Sequence, residues 1–109
     1  MTKEDTQEAL QRLQLIEQNV QQFLMQKQQF KSQLNELESA LNELKETPEA
    51  YRIVGNIMVK SSQESLTEEL TNKKEMVELR ISTLEKQEHQ LQEKAETLRK
   101  EVMKKLEEK

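Results

Sequence analysis

The sequence predicts a mainly α fold: a long antiparallel two-helix coiled coil with one central β-hairpin that assembles, with hairpins of other chains, into an oligomeric β-barrel platform. Three observations predict it. A strict heptad stripe of apolar residues runs along the first half of the 109-residue chain, and a looser one runs along the second. Between them lies the one stretch that reads as β-structure, Tyr51-Arg52-Ile53-Val54-Gly55-Asn56-Ile57-Met58-Val59-Lys60. It holds the sole glycine and follows the sole proline, Pro48.

The first helix is predicted over about residues 6–46. Its apolar residues fall at Leu13, Ile16, Val20, Phe23, Phe30, Leu34, Leu37, Leu41 and Leu44, with Lys27 in the remaining slot. Taking Leu13 as a and Ile16 as d, nine of ten successive a/d positions are apolar. A repeat sustained over more than three heptads is the signature of a coiled-coil helix. Pro48 is expected to end it, because proline disfavours a helical conformation in the residue before it and cannot donate a helix bond.

The second helix is predicted over about residues 62–107. Its d series is Leu70, Val77, Leu84, Leu91 and Leu98, and its a series is Thr67, Lys74, Ile81, Glu88, Ala95 and Val102. Lys74, Glu88 and Lys105 make this seam leakier. Ser61-x-x-Glu64 and Ser65-x-x-Glu68 each offer a capping box for its start. At ~1.5 Å per residue each helix spans roughly 50–60 Å, so its stripe needs a partner. Folding the chain between Gly55 and Asn56 pairs Leu41 with Leu70, Leu34 with Val77, Phe30 with Ile81, Val20 with Leu91 and Leu13 with Leu98. Lys27 and Glu88 fall in adjacent layers, where they either pair with each other or snorkel to water.

Gly55-Asn56 suits a two-residue turn, since both residue types tolerate positive φ. That turn puts Tyr51, Ile53, Met58 and Lys60 on one face of the ribbon and Arg52, Val54, Ile57 and Val59 on the other. Both faces are largely apolar and both edges unpaired. A lone two-stranded ribbon is marginal in water and its edges invite other strands. Tyr51, Ile53, Val54, Ile57, Met58 and Val59 are therefore the candidate assembly residues. The alternative, a folded-over linker packed on the coiled-coil end, leaves a face uncovered because that end is narrow.

Composition excludes most other classes. Only 33% of residues are hydrophobic and 3% aromatic, while 35% are charged. Such a chain cannot close a multilayer core, although a two-helix seam needs far fewer apolar residues. A polar composition alone also fits disorder, but disorder does not keep a phase-locked apolar repeat. The net charge of −4, with Lys and Glu mixed along both halves, offers no basic stripe for nucleic acid. No apolar run approaches a membrane span, and Met1 to Leu10 is too acidic and polar for a signal peptide, which favours the cytoplasm. No cysteine is present, so no disulfide framework arises. His89 sits at a solvated b position without a second ligand at metal spacing. No nucleophile-and-base arrangement and no phosphate loop occur, so no catalytic residue, metal or cofactor is expected.

The hairpin residues Tyr51 to Lys60 resemble the aromatic-x-x-x-Gly-x-hydrophobic-hydrophobic-Val-Lys pattern of β-type prefoldin subunits. Glu68-Glu69-Leu70, Leu84-Glu85-Lys86-Gln87-Glu88 and the glutamine-rich first helix are similar as well. An α-type subunit would carry two hairpins, and the segment between Lys45 and Ser65 has room for one. The resemblance implies an ATP-independent holding chaperone. It further implies a hetero-hexamer of two α-type and four β-type subunits whose hairpins form the barrel. The far ends of its coiled-coil arms would grip non-native proteins and transfer them to a group II chaperonin.

On that reading both termini lie at the far end of the arm, where the seam is expected to fray. Leu10, Leu13, Leu15, Ile16, Leu98, Val102, Met103 and Leu106 are the candidate client-binding residues, with Met25, Met76 and Leu79 as an extension along the side. Methionine adapts to varied clients. The competing reading is a structural or adaptor coiled coil that dimerises through the Leu13–Leu44 stripe and holds no clients.

Overall fold

A computed structural model describes residues 3–47 and 49–107. Four elements follow one another: α1 (Lys3–Glu46), β1 (Ala50–Val54), β2 (Ile57–Ser61) and α2 (Gln63–Glu107). The expected helix–hairpin–helix order is present, with α1 starting three residues earlier than the periodicity suggested. Pro48, expected to stop α1, lies outside the described residues; the helix ends two residues before it. Two compact units form, residues 1–28 with 82–109 and residues 29–81.

In the first unit the helical segments run antiparallel, as the cross-helix pairs Lys27–Glu88 and Glu17–Arg99 require. Ala9, Leu84, Ala95 and Val102 are buried, and Leu13, Ile16, Val20, Phe23, Leu91 and Leu98 are half-buried. These are the a and d positions, so the heptad repeat is what the packing uses. Lys27 does not snorkel. Its Nζ lies 3.0 Å from Glu88 Oε2, with side chains only 18% and 12% exposed. Among the described residues the seam also stays closed towards its far end. Val102, expected to be exposed, is 6% exposed, and Ala9 is 5% exposed.

In the second unit Phe30, Leu34, Leu37, Leu41 and Leu44 of α1 share the seam with Leu70, Val77 and Ile81 of α2. Lys74, an a-position charge, escapes the seam by reaching Glu38 at 3.8 Å. Thr67 departs from its expected a position. It is exposed, and neighbouring Leu66 is half-buried instead. Arg80 lies over the ring of half-buried Phe30, 5.7 Å from its centroid, and shields it from water.

The caps differ from the expected ones. Neither Ser61 nor Ser65 caps α2. Ser62 does, its Oγ accepting the Ser65 N–H at 3.0 Å, since Ser61 is still paired in β2. At the end of α1 the Leu44 carbonyl accepts a hydrogen bond from the Gln63 amide, and Thr47 N–H donates to the Glu43 carbonyl. Lys45 in the last turn of α1 and Glu64 in the first turn of α2 complement the helix dipoles.

Candidate functional site

The ribbon is built as its sequence dictates. Ala50 pairs with Ser61, Tyr51 with Lys60, Arg52 with Val59, Ile53 with Met58 and Val54 with Ile57. Gly55 has φ +63°, while no non-glycine residue among those described has positive φ. Glycine first and a negative φ second is the pattern of a type II′ turn, whose twist matches that of the strands. Only Gly55 therefore uses the freedom that both turn residues were expected to offer.

All six candidate assembly residues stand exposed: Tyr51, Ile53, Val54, Ile57, Met58 and Val59. They divide between the two faces as expected. Ala50 alone of the strand residues is buried, in a groove that also touches Leu44, Leu66 and Leu70. Arg52 reaches back to α2, its guanidinium 3.0 Å from Glu69, a carboxylate also approached by Lys73 at 3.7 Å. This tether has no counterpart in the heptad pattern, which is why the sequence did not reveal it.

The candidate client-binding set is split by the fold. Leu10, Leu15, Met103 and Leu106 are exposed, Leu13, Ile16 and Leu98 are half-buried in the seam, and Val102 is buried. Leu15, Ile16 and Leu98 meet in an open groove of about 700 Å³ together with Leu91, with Arg12 and Lys94 on its rim. Met25, Met76 and Leu79 are also exposed. His89 is exposed and pairs with Glu93 one turn on. Among the described residues no helix is long and apolar enough to cross a membrane, and no cluster of potential metal ligands occurs.

Residues 7–109 match the family model described as "Prefoldin subunit". The chain belongs to the prefoldin subunit family. Its curated relatives include the prefoldin subunit beta of Archaeoglobus fulgidus, 54% identical over 56 residues that cover 50% of this chain and 47% of the relative. The prefoldin subunit beta of Sulfurisphaera tokodaii is 46% identical over 52 residues, 48% of this chain and 42% of that protein. The matched segment thus spans about half the length of these relatives or a little less. The crystal structure of the prefoldin beta subunit from Thermococcus strain KS-1 superposes with a TM-score of 0.89. Identity to it is 32%, over 94% of this chain and 92% of that one. The likeness is to β-type prefoldin subunits throughout, and prefoldin is a chaperone family rather than an enzyme family.

Proposed function

We propose that this chain is a subunit of an ATP-independent holding chaperone. Its ribbon assembles with other prefoldin subunits, in the hetero-hexamer of two α-type and four β-type chains, through a shared β-barrel. The helix ends that carry the termini bind non-native proteins and hand them to a group II chaperonin in the cytoplasm. The observation that carries this reading is the placement of large apolar side chains left in water. Six crowd the ribbon, and Leu10, Leu15, Met103 and Leu106 stand near the helix ends of a chain that is otherwise highly charged. Concentrated exposed apolar surface marks sites of interaction.

Suppression of aggregation of an unfolding model protein, without nucleotide, tests the reading. Replacing Leu10, Leu15, Met103 and Leu106 together by serine leaves the seam intact, because none of the four is buried. Protection is expected to fall severalfold in that variant and only slightly in each single one, since grip on varied clients is spread over many weak contacts. Unimpaired protection by the quadruple variant would place client binding elsewhere. A parent oligomer without protection would support the adaptor reading.

A further inference from the structure

The pair Lys27–Glu88 takes no part in the function proposed above, yet its position is singular. Lys27 is the one charged residue in the a/d stripe of α1 between Leu13 and Leu44, and Glu88 is the one acid in that of α2. Their charged atoms lie 3.0 Å apart, and Gln92 Nε2 donates to the second carboxylate oxygen at 3.5 Å. It is the most enclosed of the ion pairs described, since every other one has a side chain at least 34% exposed. An enclosed ion pair contributes little net stability, because desolvation of both charges offsets their attraction. A polar residue at a single a position is instead an effective selector of register and partner.

The apolar stripe of α1 is continuous enough to accept a second α1. In a parallel, in-register pair, a positions face each other, so two Lys27 ammonium groups would meet inside the seam. Two α2 helices paired in the same way would bring two Glu88 carboxylates together. An antiparallel pair of α1 helices, or a slip by one heptad, would leave the ammonium unpaired beside Phe23 and Phe30. Each alternative encloses an uncompensated charge. Only α1 beside α2, in the observed register, sets the ammonium against a carboxylate of the adjacent layer.

We propose that the Lys27–Glu88 pair selects the helix partner. It makes each α1 accept an α2 and reject a second copy of α1, so the chain closes on itself and leaves the ribbon as its surface for other chains. This selection is independent of whether the helix ends hold clients.

Cross-chain energy transfer tests it on the full chain. The protein has no cysteine, so Gln14→Cys and Glu101→Cys, both at exposed positions of one unit, accept a donor and an acceptor specifically. In the parent, transfer is expected to be strong when both dyes sit on one chain diluted into unlabelled protein. It should be at background when the dyes sit on separate chains refolded together. In the double variant Lys27→Leu/Glu88→Leu, cross-chain transfer should rise severalfold, with helicity and melting temperature no lower than the parent's. Parental transfer in a helical double variant would overturn the proposal. A second arm stands even if that variant does not fold. Lys27→Glu and Glu88→Lys each create a like-charged pair within the chain, whereas a mixture of the two variants allows cross-chain pairs that each hold one acid and one base. Cross-chain transfer should appear in the mixture severalfold above either variant alone, and a mixture no different from its components would also overturn the proposal.

Discussion

Replacing Ile53 and Ile57 together by aspartate separates assembly from folding. The two residues point to opposite faces of the ribbon and are 72% and 65% exposed in the single chain. Ile53 borders the groove that holds Leu44, Leu66 and Leu70, but with most of its surface in water the monomer has little to lose. Complete burial of an isoleucine is worth about 1.5–3 kcal/mol, and the exposed fractions leave roughly two-thirds of that, about 1–2 kcal/mol each, to be gained on assembly. The substitution forfeits this gain and adds the desolvation of a carboxylate, several kcal/mol for each site that is enclosed. The penalty recurs in every copy of the chain, so the oligomer should be lost entirely at micromolar concentration. Native mass spectrometry reads the assembly, and far-ultraviolet circular dichroism at the same concentration reads the helices. Monomer mass with parental helicity is the expected result. Retention of the parent's oligomeric mass would refute the argument that the ribbon's two apolar faces drive assembly.

Two further substitutions probe the ends of the ribbon. Ser62→Ala removes the acceptor of the Ser65 N–H and should cost about 1 kcal/mol, lowering the melting temperature by a few degrees, whereas Ser62→Asp should retain most of the stability. Gly55→Ala adds a Cβ that would meet no atom within 4 Å, so its cost is conformational only. That cost is about 1–2 kcal/mol for an L-residue at positive φ, and the oligomer should dissociate at higher protein concentration on dilution, less so for Gly55→Asn. An unchanged dissociation concentration would show that the turn geometry does not limit assembly.

The architecture was legible because two signals with different periods meet at one place. The 3-4 spacing of Leu13 to Leu44 specifies a helical stripe, and the alternation from Tyr51 to Lys60 specifies strands. With only two residues available for the turn, the pairing of Tyr51 with Lys60 followed directly. The cap was not legible, because Ser61, Ser62 and Ser65 are chemically equivalent candidates, and the choice depends on where β2 stops pairing. The fate of Lys27 was open for a similar reason: a lysine stem is long enough to reach water or a neighbour, and only the closeness of Glu88 decides between them. Val102 shows the limit of reasoning from chain ends. Proximity to a terminus suggests exposure, yet a seam position stays enclosed as long as both helices continue past it. The exposed apolar residues were visible as off-stripe positions at Leu10, Leu15, Met103 and Leu106, but periodicity alone says nothing of what they touch.

The connections at the base of the ribbon are unequal, and this gives the molecule a mechanical polarity. Ser62 alone separates β2 from α2, whereas three residues separate α1 from β1. Ser62 is itself committed as the cap of α2, and Arg52 ties β1 to the same helix through Glu69. Any torque on the ribbon is thus delivered first to α2, while α1 is joined to the ribbon by the longer connection and to α2 by the Gln63–Leu44 hydrogen bond. A pull along α2 therefore enters the sheet at once through β2, and reaches β1 only across the strand ladder and the Arg52–Glu69 pair.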